Sequence, residues 1–399
     1  MGNVDELPER ADAVVLGGGV VGLAVARELA RGGAEVVLIE RGAAGAESSW
    51  AAAGMLAPQV EADCADEFFR LAAASRDAYP AFARALEEES GVSIELDRTG
   101  TLYLAFTAED EEECERRFQW QARAGLEVER LTAREVRALE PQVSARVRSA
   151  LRFPLDGQVE NRRLVTALLK ACARAGVRVL TQTEAFAIKV ETGGATVVET
   201  SRGAIRASSV VVACGAWSSS LRLEVSPARG GGVQAAATAR PRIEPVRGQM
   251  LCFAPGPQSP LVRHVVYSPR GYLVPRRDGR LLAGTTTERV GFDKSLTDDG
   301  RAAIEAHAQE IAPASSALVV SDAWAGLRPR GADDWPVLGA LADVPNLFYA
   351  TGHYRNGILL APLTGALVAA MILRDGATHP LLEAFTPERF RRASSSCAV

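Results

Sequence analysis

The sequence predicts an α/β fold of two interleaved domains, the larger built on parallel strands and the smaller on an antiparallel sheet. At 399 residues the chain is longer than one ordinary domain core. It opens with a strand, a glycine turn, a helix and a second strand over 13–41. A helix running into a strand follows at 162–180, and the strand-to-helix pattern returns from residue 322 onward. We expect the larger domain in 11–90, 151–220 and 322–390, the smaller in 91–150 and 242–321, and a mobile Gly- and Ala-rich loop over 226–241.

The individual elements follow from apolar periodicity and from turn residues. They are a strand at 13–16, a helix at Val20–Arg31, a strand at Val36–Ile39, a helical region at 61–90, a strand at 100–106, a charged helix at 109–123, a helix and strand across 162–180, a buried strand within 207–217, short β runs across 242–290, and an apolar helix at 358–373.

Composition excludes several classes of protein. The chain is 47% hydrophobic and 24% charged with a net charge of −4, which is typical of a globular protein and unlike a nucleic-acid binder. The N-terminus lacks the apolar stretch of a signal peptide. The longest apolar run, 358–373, contains Pro362 and is shorter than the ~20 residues of a membrane span. Scattered cysteines and four isolated histidines predict free thiols and no metal site. We expect a cytoplasmic protein.

The glycine turn, 17–22, matches G-x-G-x-x-G between a strand and a helix. Gly17 permits the tight turn, Gly19 lets a pyrophosphate approach the backbone, and Gly22 allows close packing of helix and strand. The helix N-terminus favours the negative phosphates. Glu40 ends the second strand, where an acidic residue accepts hydrogen bonds from a ribose diol. A Rossmann-like dinucleotide site is therefore predicted; the acid disfavours NADP, and the motif alone leaves FAD and NAD open.

The segment "SSWAAAGMLAP" (48–58) has small residues that allow a loop to lie flat against a planar ring. Further along stand "VVVACGAWS", "PVRGQML", "YLVPRRDGRLLAGTT", "WAGLRPRGADDWPVLG" and "GHYRNGILLAPLTG". Together with the glycine turn, these segments resemble the D-amino-acid oxidase and glycine oxidase family of flavoproteins, and most closely its bacterial glycine oxidases of thiamine biosynthesis. The resemblance extends from about residue 13 to 373.

The resemblance implies a Rossmann-like FAD-binding domain with non-covalently bound FAD. The residues that would contact the cofactor are Gly17, Gly19, Val20, Val21, Gly22, Glu40, Arg41, Ser48, Ser49, Ala53, Gly54, Met55, Ala185, Gly215, His353, Tyr354, Arg355, Asn356, Gly357, Ile358 and Leu359. The turn at 352–357 would direct the N-terminus of the following helix at the flavin, where its dipole favours negative charge.

The resemblance also implies an amino-acid substrate. Arg355 would project over the flavin and bind the substrate carboxylate through two parallel hydrogen bonds. Arg328 and the Tyr272 hydroxyl would assist, and Met55 would form a wall of the pocket. Hydride would pass from the neutral amine, so that no acid or base catalyst is required. Molecular oxygen would be the electron acceptor, and a tetramer would be the assembly.

Two residues depart from the pattern of glycine oxidases. Arg270 stands where a histidine is expected, and Thr287 where a methionine is expected. Both changes predict a more polar pocket and leave open the preference among glycine, sarcosine and small D-amino acids. A related dehydrogenase for D-amino acids or sarcosine, passing electrons to a quinone or carrier, would have the same site. A nucleotide-binding module without redox chemistry is the alternative from another class.

Overall fold

The computed structural model describes residues 6–190, 196–225, 240–374 and 378–391; most of the loop expected to be mobile, 226–239, lies outside them. Within these ranges the chain forms a nine-stranded sheet, an eight-stranded sheet and a pair of short strands. No helix in the described part of the chain has both the length and the apolar character that a bilayer crossing requires. The predicted α/β class is confirmed.

The described residues form nine α-helices, of which the first, fifth, seventh and ninth lie close to predicted positions. They are α1 Val20–Arg31, α2 Ser48–Ala51, α3 Pro58–Glu61, α4 Glu67–Ser90, α5 Ala108–Arg123, α6 Ala133–Leu139, α7 Asn161–Arg174, α8 Asp298–Ile311 and α9 Gly357–Leu373, with 3-10 turns at Gly215–Ser220, Pro313–Ala317 and Pro380–Phe385.

The strands alternate with these helices at both ends of the chain and are consecutive in its middle. They are β1 Arg10–Leu16, β2 Val36–Ile39, β3 Met55–Leu56, β4 Thr101–Ala105, β5 Glu129–Thr132, β6 Ser149–Phe153, β7 Gly157–Gln158, β8 Arg178–Leu180, β9 Ala185–Val190, β10 Thr196–Thr200, β11 Gly203–Val212, β12 Arg222–Val225, β13 Glu244–Phe253, β14 Val265–Tyr267, β15 Tyr272–Pro275, β16 Leu281–Gly284, β17 Val320–Arg330, β18 Val337–Leu341 and β19 Val344–Thr351.

The nine-stranded sheet has a parallel centre. Strands β8, β2, β1, β11 and β19 pair in that order, each parallel to the next. The short β2 is completely buried, as expected for a strand covered on both faces. Parallel pairing brings the carboxyl ends of these strands to one edge, where ligands bind in open α/β sheets. Glu40 and the glycine turn both lie at that edge.

The helix α9 packs against α1 at very short range. A Cβ added at Gly365 would come within 3.0 Å of Ala24 atoms, so a larger residue would push the helices apart. Ser75 and Tyr79 of α4 donate to the carbonyls of Leu359 and Ile358 in the first turn of α9. These contacts fix the position of the α9 N-terminus relative to the glycine turn.

The eight-stranded sheet has the order β17-β13-β16-β15-β14-β4-β6-β5. Two domain boundaries predicted from the sequence, at 151 and 322, fall inside its strands β6 and β17. The reason for the second is the long antiparallel ladder between β17 and β13, which runs from Val320 opposite Phe253 to Arg330 opposite Glu244. Residues 322–330 therefore pair in this sheet and not in the parallel one.

The helical region predicted over 61–90 is divided. The turn α3 ends at Glu61, and α4 begins only at Glu67, because the Asp66 side chain accepts a hydrogen bond from the Phe69 N–H at 2.7 Å and caps the helix. This interruption places Glu61 at the end of a short turn of its own, apart from α4.

Candidate active site

A cavity of about 820 Å³ extends from the glycine turn to strands β15 and β17 of the eight-stranded sheet. This volume lies in the upper part of the range of about 300–1,000 Å³ for small-molecule and cofactor sites. The predicted site residues that line it are Gly17, Gly19, Val20, Val21, Glu40, Arg41, Ser48, Ser49, Ala53, Gly54, Met55, Ala185, Gly215, Tyr272, Arg328, His353, Tyr354, Arg355, Asn356, Gly357 and Ile358.

Two predicted contact residues are absent from the cavity wall. Gly22 packs beneath the glycine turn, where a Cβ would stand 2.0 Å from the Gly17 carbonyl oxygen. Leu359 is 1% exposed and lies in the core cluster beside α1. Gly22 therefore has the packing role that the motif predicts. Both residues directly follow residues that line the cavity, Val21 and Ile358.

The glycine turn has a backbone path that a larger residue would prevent. Gly17 adopts a φ of +107°, and a Cβ there would lie 2.4 Å from the Ala213 carbonyl oxygen. Gly19 is the N-cap of α1, which begins at Val20 with its N–H groups free of helical partners. This arrangement of small residues at a helix N-terminus fits a bound pyrophosphate.

Glu40 stabilises the same turn. Its two carboxylate oxygens accept hydrogen bonds from the Gly18 and Gly42 N–H groups, each at 2.8 Å. Because each carboxylate oxygen has a second acceptor position, these bonds leave capacity for a ribose diol. Ser49 extends the network, since its hydroxyl accepts from the Val20 N–H at 2.9 Å.

The segment 48–58 was expected as a flat loop, and its beginning is instead the helical turn α2. The Asn161 side chain amide donates to the carbonyls of Ser49 and Trp50, both at 2.9 Å, and so satisfies groups that a short helix leaves without partners. The small residues that follow lead into β3: Gly54 has a left-handed φ of +75°, and a Cβ there would lie 2.1 Å from the Val159 carbonyl oxygen.

The turn 352–357 connects β19 to α9 through two left-handed residues, Gly352 at φ +73° and Tyr354 at φ +49°. The Tyr354 N–H donates to the Pro329 carbonyl at 2.8 Å, which ties the turn to β17. His353 is 3% exposed, and its Nε2 lies 3.1 Å from the Thr364 hydroxyl. Burial lowers the pKa of His353 to about 3, so the imidazole is neutral and the turn contains no second cation beside Arg355.

Two side chains near the cofactor region could in principle form a covalent link, Cys214 and His353. Burial raises the pKa of Cys214 to about 12, and its Sγ donates to the Leu16 carbonyl at 3.3 Å. Because the thiolate is the reactive form of cysteine, Cys214 is inert at neutral pH. His353 is held by Thr364. These surroundings fit a non-covalently bound cofactor.

Three residues of the predicted carboxylate site line one end of the cavity: Arg355, Arg328 and Tyr272. Arg328 is oriented by its Nη2, which donates to the Thr285 hydroxyl at 2.8 Å, and by its Nη1, which donates to the Thr286 carbonyl at 3.2 Å. Burial raises the pKa of Tyr272, with Arg328 and Arg355 opposing that rise. The hydroxyl is therefore a neutral donor at physiological pH.

Arg355 is half exposed and has one carboxylate partner, Glu61. Its Nη2 lies 3.5 Å from the Glu61 Oε2, and this carboxylate raises the pKa of Arg355. The long distance and the single contact leave most of the five guanidinium donors available. A substrate carboxylate would therefore meet Arg355 with Glu61 as its competitor.

Sequence reasoning missed two residues of this end, Glu61 and Tyr267. The Tyr267 hydroxyl donates to the Glu61 Oε1 at 3.0 Å and lies 3.0 Å from the Met55 sulfur. Its ring is 5.3 Å from that of Tyr272, because β14 and β15 form a hairpin in which the two tyrosines are directly paired. The turn sequence "SPRG" between the tyrosines is the signal that predicts this pairing.

Arg270 and Thr287, the two residues that depart from the glycine oxidase pattern, differ in their effect on the cavity. Arg270 was expected to make the pocket more polar, but its guanidinium is occupied: Nε donates to Glu310 at 2.6 Å and Nη2 donates to Asp110 at 3.1 Å. These two carboxylates raise the pKa of Arg270 and neutralise its charge at the edge of the cavity. Thr287 does line the cavity, in agreement with the expected polar wall.

Comparison with known proteins agrees with this geometry. The family model for FAD-dependent oxidoreductases matches residues 12–371. Glycine oxidase of Geobacillus kaustophilus is 35% identical over 370 residues, which are 92% of this chain and 94% of that protein. The bifunctional protein ThiO/ThiG of Synechocystis sp. is 34% identical over 385 residues; this chain spans 54% of its length.

The crystal structure of the Geobacillus kaustophilus glycine oxidase superposes with a TM-score of 0.88 at 33% identity and covers 96% of this chain and 99% of its own. The glycine turn, the acid after β2 and the small-residue segment at 53–55 fit a dinucleotide cofactor. The chain belongs to the FAD-dependent oxidoreductase family, and FAD is its cofactor.

Proposed function

We propose that this enzyme catalyses the oxidative deamination of glycine and other small amines, such as sarcosine and D-alanine, to the imine and then the 2-oxo acid. The observation that carries the proposal is the meeting of Arg355, Arg328 and Tyr272 at one end of the cavity. Two guanidinium groups and a neutral hydroxyl are matched to a carboxylate. The similarity to glycine oxidases supports the same substrate class.

The FAD cofactor, when bound, supplies the hydride acceptor for the reaction. The chain contributes position: Arg355 and Arg328 would bind the carboxylate, and the Tyr272 hydroxyl would donate to it. Fixing the carboxylate fixes the Cα–H direction, which is the orientation effect that accounts for much of enzymatic rate enhancement. The amine reacts in its neutral form, so the site requires no paired acid and base.

Glu61 has a second proposed role. A carboxylate facing the cavity between Tyr267 and Arg355 can accept a hydrogen bond from the substrate amine. It also keeps the pair Glu61–Arg355 neutral before substrate arrives. We propose that the substrate carboxylate replaces Glu61 at Arg355, which frees Glu61 for the amine.

The small size of the acceptable side chain follows from the walls of this end. Met55, Tyr267 and Tyr272 are packed together with the buried Met250, whose sulfur lies 3.3 Å from the Tyr272 hydroxyl. A side chain the size of a benzyl group would displace packed residues, which is costly. Differences of one methyl group cost only about 1–3 kcal/mol, so glycine, sarcosine and D-alanine should all react.

The test is anaerobic bleaching of the flavin absorbance by glycine, sarcosine, D-alanine, D-proline and D-phenylalanine. We expect reduction by the small amines and the slowest reduction by D-phenylalanine. If D-phenylalanine reduces the flavin as fast as glycine at the same concentration, the proposed small-substrate pocket is wrong. A colourless purified protein would contradict the flavoenzyme assignment itself.

We also propose molecular oxygen as the electron acceptor, with hydrogen peroxide as product, and thiamine thiazole synthesis as the use of the imine. Similarity to glycine oxidases and to the ThiO/ThiG protein supports both proposals. Simultaneous measurement of oxygen uptake and peroxide release during glycine turnover tests the first. Turnover that requires an added quinone and consumes no oxygen would favour the dehydrogenase alternative.

A further inference from the structure

The loop between β16 and α8 carries an unusual surface. Val290, Phe292 and Leu296 are all at least 40% exposed, and they belong to the segment 288–296, which we call the 288–296 loop. Large apolar residues grouped on one exposed loop require an explanation. The loop connects a strand of the eight-stranded sheet to α8, yet its tip reaches Trp217 and Glu47, which line the cavity.

The base of the 288–296 loop is firmly attached. Arg247 of β13 is 3% exposed and forms ion pairs with both Glu288 and Asp293, the latter at 2.7 Å. The Gln249 amide donates to Glu288 at 2.8 Å and to the Thr297 hydroxyl at 2.9 Å. Because buried donors hold it at both ends, the loop has a defined position over the cavity rim.

The tip contacts two residues that line the cavity, Trp217 and Glu47. The Phe292 ring stacks on Trp217 with a centroid distance of 5.4 Å and an interplanar angle of 27°. Lys294 Nζ lies 3.0 Å from a Glu47 oxygen. Arg41 joins the rim residues, since its guanidinium lies 3.7 Å from the Trp217 ring centroid and 3.3 Å from Glu47.

We propose that the 288–296 loop is a latch that controls the passage of FAD into and out of its site. The Phe292–Trp217 and Lys294–Glu47 contacts join the 288–296 loop to the rim of the nucleotide site within the same chain. Opening the Phe292–Trp217 and Lys294–Glu47 contacts widens the rim without removing a residue that lines the cavity. The latch therefore lowers the rates of FAD association and dissociation together and leaves the equilibrium constant nearly unchanged.

The experiment measures FAD release from the holoenzyme by flavin fluorescence, with an excess of an unrelated FAD-binding apoprotein as trap. Serial dilution of the same holoenzyme gives the Kd, and the ratio of the two gives the association rate constant. For Phe292→Ala we expect dissociation to accelerate by about 2- to 10-fold, the size of one aromatic pair. The Kd should stay within about twofold.

Three further variants separate the latch from a general loss of structure. Phe292→Trp keeps an aromatic ring on Trp217 and should restore the wild-type rates. Val290→Ala removes an apolar side chain with 40% exposure from the same loop and should release FAD at the wild-type rate. Lys294→Ala should accelerate release by up to about fivefold at low ionic strength and not at 0.5 M salt, because the pair is exposed.

Two outcomes would overturn the proposal. One is an equal release rate for Phe292→Ala, Val290→Ala and the wild type, which would show that the stack does not limit passage. The other is faster release with a matching rise in Kd, which would make Phe292 an affinity contact and not a latch. Both readouts are independent of which amine the enzyme oxidises.

Discussion

The two ends of the cavity are constructed by different means. At the nucleotide end, one βαβ unit of about thirty consecutive residues supplies the glycine turn, the helix N-terminus and Glu40, and much of the recognition surface is backbone. At the amine end, Glu61, Tyr267, Tyr272, Arg328 and Arg355 come from five separate elements and act through side chains. Local sequence therefore specifies the first end, and the tertiary fold specifies the second.

This difference has a consequence for mutation. Binding by backbone groups is sensitive to added volume, because a side chain added in a glycine turn meets backbone atoms, which cannot rotate away as a side chain can. Side-chain recognition is sensitive to removed charge, since each side chain contributes its own charge or hydrogen bond to the substrate. Substitutions at the two ends should therefore separate cofactor binding from amine turnover.

The largest expected effect is at the amine end, for Arg355→Met. Removal of the guanidinium leaves the substrate carboxylate without its main partner, which costs about 2–5 kcal/mol. We expect kcat/KM for glycine to fall by roughly 30- to 5,000-fold while the FAD content is unchanged. Steady-state kinetics and the flavin absorbance of the purified variant measure the two quantities.

Arg355→Lys is the matched control. It keeps the charge and loses the planar fork, so its kcat/KM should lie between those of the wild type and Arg355→Met. A methionine variant with wild-type kcat/KM would remove Arg355 from the carboxylate site. Loss of FAD in either variant would contradict the claim that substitutions at the amine end leave cofactor binding unchanged.

The converse effect is expected for Gly22→Ala. The new methyl group would stand 2.0 Å from the Gly17 carbonyl oxygen, so the turn must move. Overpacking of this kind costs about 1–3 kcal/mol, which corresponds to roughly 5- to 150-fold weaker FAD binding. Fluorescence titration measures the Kd, and at saturating FAD the kcat for glycine should recover.

Gly42→Ala provides a control in the same region. A Cβ at Gly42 would be 3.7 Å from the nearest Glu40 oxygen, an ordinary van der Waals distance. Its FAD affinity should therefore equal that of the wild type. Equal FAD affinity of Gly22→Ala and the wild type would show that the turn tolerates displacement, and would contradict the idea that backbone shape determines the nucleotide end.

The same difference explains what the sequence could predict. The bounds of α1 and β2 agree with the prediction, since the glycine motif and the apolar periodicity are local signals. The position of α9 was predicted to within one residue for the same reason. The strand β17 was assigned to the wrong sheet, because its partner β13 is about 75 residues away along the chain and pairing partners are not encoded locally.

At the amine end the sequence identified Arg328, Arg355 and Tyr272 only through resemblance to a family. It did not identify Glu61, because residues 61–90 were predicted as one helical region. In the structure the Asp66 cap starts α4 at Glu67, and Glu61 ends the separate turn α3. It also misjudged Arg270, whose neutralising partners Asp110 and Glu310 lie far away in sequence. The net charge at a site depends on ion-pair partners that are distant in sequence, and a motif residue alone does not predict them.

A third prediction concerns pH and the turn that carries Arg355. The pKa of His353 is lowered to about 3 by burial, below the ordinary value of 6.5. Between these values the unfolded chain binds a proton that the folded protein excludes. This contribution to stability is complete above pH 6.5 and is lost as the pH falls toward 3, at up to about 1.4 kcal/mol per pH unit.

His353→Asn removes this titration and keeps a polar side chain facing Thr364. We expect the unfolding free energy of the wild type to fall by about 2 kcal/mol more than that of the variant between pH 6.5 and 5. Comparison of the two proteins is necessary, because the buried Asp156, whose pKa is raised to about 7 by burial, contributes an opposite slope to both. Parallel pH profiles from urea unfolding would contradict a buried neutral His353.

The smallest expected effect is that of Tyr267→Phe, which tests whether Glu61 is controlled by side chains from another element. The variant removes the hydroxyl that donates to Glu61 Oε1 and leaves the ring in place beside Tyr272. Glu61 then has Arg355 as its remaining partner and competes more strongly with the substrate carboxylate. One such hydrogen bond is worth about 1 kcal/mol, so the KM for glycine should rise about fivefold with little change in kcat.

Tyr103→Phe is the control, since Tyr103 also lines the cavity and contacts Arg117, not Glu61. Its KM should remain within about twofold of the wild type, a change below ~0.5 kcal/mol. A lower KM in Tyr267→Phe would mean that Tyr267 holds Glu61 toward Arg355, and the proposed exchange of carboxylates at Arg355 would be wrong.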